Sequence, residues 1–137
     1  MKQDVREGDI LMVRDGTYLI GTCAYVTKYD QKIVFQSHIL KLRVLKPEVL
    51  SPYILLAALT SVPVKRQIIA KRFTQDIIDS LGGRIAEIQL PIPRDPQLRA
   101  RVIDKVRSAI SGRMEARELA RQACVEVIGV QLPGDDV

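Results

Sequence analysis

Histidine-dependent chemistry has little to work with in this chain, which contains a single histidine, His38. General acid–base and nucleophilic catalysis need a base within hydrogen-bond reach of a nucleophile. Ser37 precedes His38, but neighbours along an extended strand point to opposite faces and form no dyad. His38 is therefore read either as a partly buried histidine or as a polar group near a ligand face. Cysteine is just as sparse. Cys23 and Cys124 are far apart in sequence and have neither CxxC spacing nor a histidine cluster, which excludes a zinc site and leaves buried reduced thiols. The glycine clusters, Gly16 with Gly21 and Gly82-Gly83, match neither a phosphate loop nor a dinucleotide fingerprint, so no cofactor is expected. The acidic pair Asp76 and Asp79 reads as a helix cap and solvated turn rather than a metal site. With no catalytic constellation, the chain is read as a non-enzyme.

Long apolar runs are also missing. No stretch approaches the roughly 18 apolar residues of a membrane span, and the opening segment MKQDVREGD has no apolar signal core. A cytoplasmic location without membrane partners is the expectation.

What is present is enough apolar material for one folded domain: 47% of 137 residues are hydrophobic. Lys and Arg number 21 against 16 Asp and Glu, a net charge of +5, and the pI is near 9.4. That balance suits a polyanionic partner. Residues 8 to 46 alternate short apolar runs with turn chemistry, including the hairpin signal Asp15-Gly16, and Ile39 to Leu45 alternates like a half-buried strand. Ser51-Pro52 predicts a helix start, with an N-cap side chain followed by proline in the first turn. The next stretch, Tyr53 to Ser61, is apolar nearly all round and predicts a buried helix. Pro63 opens a second helix with Val64, Ile68 and Ile69 on one face. Short helical turns are predicted near Asp76 to Leu81 and near Ile85, then a short edge strand over Ile88 to Ile92. Asp95-Pro96 opens a long helix, on which Leu98, Val102, Val106, Ala109, Ile110, Met114, Ala120, Cys124 and Val127 recur at helical spacing. The predicted fold is α+β: a small, mostly antiparallel sheet with packed helices, then a long C-terminal helix. Residues 1–95 form the sheet-bearing domain, 96–128 a spacer or dimerisation helix, and 129–137 a frayed tail.

Three polar segments carry the side chains that phosphate contacts and base reading require. The first turn holds Arg14, Thr17 and Tyr18, the second Lys28, Tyr29 and Lys32, and the exit of the second helix Arg72, Thr74 and Gln75. Lys65, Arg66 and Lys71 are placed as phosphate contacts. Recognition is commonly carried on loops at one edge of a rigid sheet.

The ordered series Gly8-Asp9-Ile10-Leu11, Asp15-Gly16 to Ile20-Gly21, His38 to Leu42-Arg43, Pro52-Tyr53-Ile54-Leu55, Ile68 to Phe73-Thr74-Gln75 and Ile88-Gln89-Leu90-Pro91-Ile92-Pro93 resembles the target recognition domain of type I restriction enzyme specificity subunits. The resemblance spans residues 8 to about 127. Where the family has a Pro-Leu and Glu-Gln run before its helix, this chain has the shorter Arg94-Asp95-Pro96-Gln97. The resemblance implies a domain that reads double-stranded DNA and directs an adenine methyltransferase subunit and a restriction subunit to a target. It also implies a larger protein, in which a second recognition domain or a second copy meets this one through the C-terminal helix. Two other readings stay open: a coiled-coil interaction module without DNA binding, and the recognition domain of a fused restriction-methyltransferase.

Overall fold

A computed structural model describes residues 4–129 apart from Thr17, Gln31, Asp76, Ile77 and Leu81; for 73–75 and 78–80 only the backbone is described. The first element, β1 (Ile10–Val13), is the run ILMV, which is apolar on both faces because it is covered on both. Ile10 and Met12 enter the main core with Leu55, Leu59, Val64 and Ile68. Leu11 turns the other way and packs with Val5 and Val26 in a smaller cluster flanked by Phe35 and Ile39. Strands β2 (Cys23–Tyr25) and β3 (Ile39–Leu42) pair antiparallel on either side of β1, in the order β2-β1-β3. The registers Met12↔Cys23 and Val13↔Ile39 place the turn after β1 and the entry to β3 at one end of the sheet. We call it the hairpin end. At the other end, Ile10 faces Tyr25 and Leu42.

That other end is tied by Asp9, whose side chain is only 1% exposed. Arg43 donates to it bidentately, Nε to Oδ1 at 2.7 Å and Nη2 to Oδ2 at 2.8 Å, while the Arg6 backbone N–H donates to Oδ2 at 2.8 Å. The same guanidinium reaches Asp4, with Nη1 to Oδ2 at 2.9 Å. Burial alone would raise the Asp9 carboxyl, but hydrogen bonds from Arg43 and the Arg6 N–H outweigh it and hold the pKa below the ordinary value.

Helix α1 (Pro52–Thr60) starts as expected: Ser51 Oγ accepts from the Tyr53 N–H at 3.2 Å, and proline occupies the first turn. It buries Ile54, Leu55, Ala58 and Leu59 against the sheet. Ser61, in extended conformation, separates it from α2 (Val62–Lys71), which lies at 63° to it. Helix α2 buries Val64 and Ile68, but Ile69 is exposed, about 100° round the helix from Ile68 and off the shared face the sequence suggested.

Three further expectations fare unevenly. Of the helical turn expected near Asp76 to Leu81, Ile78–Ser80 instead forms strand β5, paired antiparallel with β4 (Phe73–Gln75), because α2 leaves through an extended Arg72 that feeds a strand directly; residues 76, 77 and 81 lie outside the described residues. The turn near Ile85 is present as a 3-10 segment, Gly82–Glu87. Residues 88–92 form no strand. Instead the Gln67 amide clamps the Gln89 backbone, Nε2 donating to its carbonyl and Oε1 accepting from its N–H, both at 2.8 Å. A side chain there supplies the pairing that a neighbouring strand would give.

The long helix, α3 (Pro96–Ile128), matches its expected bounds and is about 50 Å long at 1.5 Å per residue. Asp95 accepts from the Gln97 N–H at 3.0 Å, and Gly129, at φ 63°, closes the far end. Its contact face is half-buried: Val102, Ile103, Val106, Ile110 and Met114. Leu98, Ala109, Ala120, Cys124 and Val127 of the anticipated stripe are exposed. Cationic anchors fix the helix, with Arg99 Nη2 donating to the Val49 carbonyl at 2.8 Å, Arg107 over the Tyr53 ring at 5.3 Å and Arg117 Nη1 to Asp30 Oδ1 at 3.1 Å. Tyr53 in turn stacks on Tyr25 of β2 at 5.3 Å. The fold is the expected α+β arrangement of a small antiparallel sheet, packed helices and a long C-terminal helix. No single helix among the described residues is long and apolar enough to cross a membrane.

Three substitutions test this packing. Gly21 has φ 81°, and a Cβ there would lie 2.8 Å from Ile68 Cδ1 and 3.2 Å from its Cγ2, deep in the core. Gly21→Ala should cost about 2–4 kcal/mol in thermal or urea unfolding, from backbone strain plus overpacking. Gly83→Ala, with no atom within 4 Å of the added Cβ, should be close to neutral. Arg43→Met leaves Asp9 buried without its partner and should cost about 3–5 kcal/mol. Because folding lowers the Asp9 pKa, its contribution is complete above the unfolded value of about 3.9 and is lost as pH falls through the folded value. Acid titration of wild type should therefore show a loss of stability below about pH 4 that is smaller in Arg43→Met.

Candidate nucleic-acid interface

The hairpin end is built by short-range hydrogen bonding. Val13 donates to Thr22 O at 2.9 Å and Gly21 to Val13 O at 2.8 Å, so the chain after β1 doubles back on itself before β2. Arg14 N donates to His38 O at 2.8 Å, which binds the start of this turn to the entry of β3. The Asp15 side chain is 11% exposed, and its Oδ2 lies 3.1 Å from Arg14 Nε and 3.2 Å from His38 Nδ1. Tyr18 stands almost wholly in solvent at 95% exposure, with Leu19 exposed beside it.

Helix α2 abuts this turn through the Gly21–Ile68 contact. Its outer face carries Lys65 and Arg66, both exposed, and Lys65 is close enough to Cys23 to act electrostatically on the thiol. Arg14 and Tyr18 therefore share the hairpin end with Lys65, while Arg66 is exposed on the next position of α2.

The second polar segment is not at that end. Val26 pairs with Asp9 and Gly8 at the far end of β2, so Lys28 and Tyr29 begin their loop there, roughly the 10 Å length of β1 away. Lys28 Nζ sits over the Tyr29 ring at 4.9 Å, and both residues, like Lys32, are exposed. The loop is shaped by Asp30, whose Oδ2 accepts from Thr27 Oγ1 at 2.6 Å and Thr27 N at 3.1 Å. Burial would raise the Asp30 pKa, but these bonds and Arg117 bring it below the usual carboxylate value.

The remaining candidates divide further. Lys71 is half-buried and paired with Glu87 at 2.9 Å, and its carbonyl accepts from Arg84, so it serves the packing of the 3-10 segment on α2. Arg72 is exposed at the end of α2. Thr17 lies outside the described residues. Thr74 lies in β4 opposite Asp79 and Gln75 opposite Ile78, placed by their backbone alone. Asp79 is therefore a strand residue, while Asp76 lies outside the described residues.

His38 and Asp15 are the pair the sequence reading missed as a unit. They are far apart in the chain, and only the Val13↔Ile39 register, which sets residues 14 and 38 opposite one another, reveals them. Elsewhere, an open depression of about 140 Å³ is lined by Arg6, Glu7, Asp9 and Arg43, but its acid and base are engaged in the structural ion pair. Among the described residues, no group of three or more His, Cys, Asp or Glu side chains is placed to hold a metal ion. Compared with protein-family models, with curated proteins and with solved structures, the chain matches none.

The cysteines correct another expectation. Both are free, but only Cys23 is partly buried, its Sγ 3.5 Å from the Gly21 carbonyl; Cys124 is exposed on α3. Burial pushes the Cys23 thiol up to about 11 against a small opposing effect from Lys65. At pH 8 a thiol-specific reagent should therefore modify Cys124 rapidly and Cys23 slowly. Equal rates would mean that the hairpin end opens readily, since Cys23 would then be reached without global unfolding.

Proposed function

We propose that this chain is a non-catalytic, sequence-reading DNA-binding domain of the kind that specifies targets for a type I-like restriction-modification system, guiding an adenine methyltransferase and a nuclease. The observation that carries this reading is that Arg14 and the projecting Tyr18 sit in the turn at the hairpin end of the small sheet, where the exposed Lys65 of α2 lies near Cys23. Exposed lysine and arginine supply phosphate contacts, and a projecting tyrosine supplies a stacking or groove-filling surface. The net charge of +5 and the ordered motifs from Gly8 to Pro93 support the same reading. Function would then require a methyltransferase subunit and a second recognition domain.

A second reading, an assembly module, is favoured by one specific feature. Beyond Arg117 the helix α3 is largely exposed, and Leu119, Val127 and Ile128 lie on its surface. Glu substitution of Lys65 and Arg66 separates the two, because it weakens duplex binding on the DNA reading, whereas a module that assembles through α3 would keep its partner.

Fluorescence anisotropy with a labelled duplex tests the DNA reading. Wild type should bind with an affinity that falls as salt rises. The double variant Lys65→Glu, Arg66→Glu should bind more weakly at every sequence. Its plot of log K against log salt should be shallower by about 1.8, or about 0.9 for each phosphate that is no longer neutralised. No binding by the wild-type chain, or an unchanged slope in the variant, would overturn the assignment.

A further inference from the structure

His38 is exposed yet doubly restrained, which is unusual for a surface histidine. Its carbonyl accepts from Arg14 N, and its ring is bonded through Nδ1 to Asp15, while the side chain remains 56% exposed. A carboxylate only accepts hydrogen bonds, so Nδ1 must carry the proton in this contact. In the neutral ring Nε2 is then an acceptor, and it has no hydrogen-bond partner among the described residues. Asp15 is itself held by Arg14 Nε, on the same oxygen that meets the imidazole. The turn therefore presents, on a largely exposed ring, one acceptor of fixed tautomer, a few residues from the projecting Tyr18 and on the end of the sheet where Lys65 lies near Cys23.

We propose that His38 accepts a hydrogen bond from the exocyclic amino group of a DNA base in the major groove, with Asp15 as the positioning residue that sets its tautomer. The inference rests on the DNA-binding reading above and deepens it. Phosphate oxygens offer no proton to a neutral Nε2, whereas adenine N6 and cytosine N4 both do. Preorganisation also makes sense of the restraints: an acceptor already fixed in place loses less rotamer freedom when it meets a base.

The test uses the full chain and a pool of randomised double-stranded oligonucleotides. His38→Asn keeps an amide N–H able to reach Asp15 but leaves no acceptor at the position of Nε2, its Oδ1 being held back on a shorter side chain, and Asp15→Asn keeps the imidazole but frees its tautomer. Nitrogen-15 NMR of the ring should show the proton on Nδ1 in wild type and a mixture of tautomers in Asp15→Asn. Wild type should enrich a motif. His38→Asn should lose discrimination at a single base pair of it by about tenfold or more, with the unfolding midpoint and salt slope unchanged. Asp15→Asn should weaken preference at that same base pair.

An unchanged motif in His38→Asn overturns the inference, as does a uniform loss of affinity with a shallower salt slope, which marks a phosphate contact. Salt-dependent binding by wild type without an enriched motif overturns this inference and leaves DNA binding standing. No binding by wild type overturns both.

Discussion

Burying a carboxylate costs several kcal/mol of lost hydration, and the fold offsets that cost at Asp9 with hydrogen bonds drawn from separate parts of the chain. The Arg6 N–H comes from the segment before β1, and the Arg43 guanidinium from the residue after β3. The Asp9 main chain is also used, its carbonyl accepting from Val26 just after β2. One residue thus joins the N-terminal segment and the ends of all the strands in the main sheet. Arg43 then extends the network to Asp4, whose pKa falls to about 2 chiefly through its hydrogen bonds with Arg43 and Arg6. With its carboxylate held by Arg43 and the Arg6 N–H, Asp9 makes this end of the sheet a structural knot around a buried ion pair.

The opposite end differs in kind. There the turn after β1 carries side chains that face water, and Asp15 meets Arg14 beside it and His38 from the entry to β3 in partly exposed contacts. Such a division, with rigidity at one end of a sheet and variable polar loops at the other, lets a small domain change what it touches without refolding. The Gly21–Ile68 contact ties this turn to the core, since the turn rests directly on a core side chain of α2. Tyr18 and Lys65 are therefore carried on one packed unit.

Local signals were the most legible in the sequence. Ser51 and Asp95, each followed by proline, mark the starts of α1 and α3, because a capping hydrogen bond depends only on neighbours in the chain. The apolar runs of β1 and α1 were equally plain. Pairing at a distance was not. The paired strands Phe73–Gln75 and Ile78–Ser80 are too short for periodicity to separate strand from helix, and the Gln67 clamp on Gln89 replaces a strand with a side chain. The candidate site was half visible for the same reason. Residue types identified the polar turns, but only the register revealed that Arg14 and His38 share one end while Lys28 and Tyr29 start from the other. Cys124 escaped because its place on an apolar-looking stripe suggested burial, whereas the packed face of α3 follows Val106, Ile110 and Met114.

The basic composition also changes meaning once the arginines are placed. Seven basic residues of α3 look like a cationic surface in the sequence, yet Arg99 holds the Val49 carbonyl, Arg107 lies on Tyr53 and Arg117 pairs with Asp30. Arg121 is paired with Glu118, one turn away. These cations dock or solubilise the helix, so net charge overstates what is available to a polyanion. Lys71 is withdrawn in the same way by Glu87. Lys65 and Arg66 differ: they are exposed on a helix whose opposite face is anchored by Val64 and Ile68. A charge held on a rigid, well-packed element beside the hairpin end acts from a fixed position, and position rather than total charge decides whether a basic protein grips a nucleic acid in one orientation.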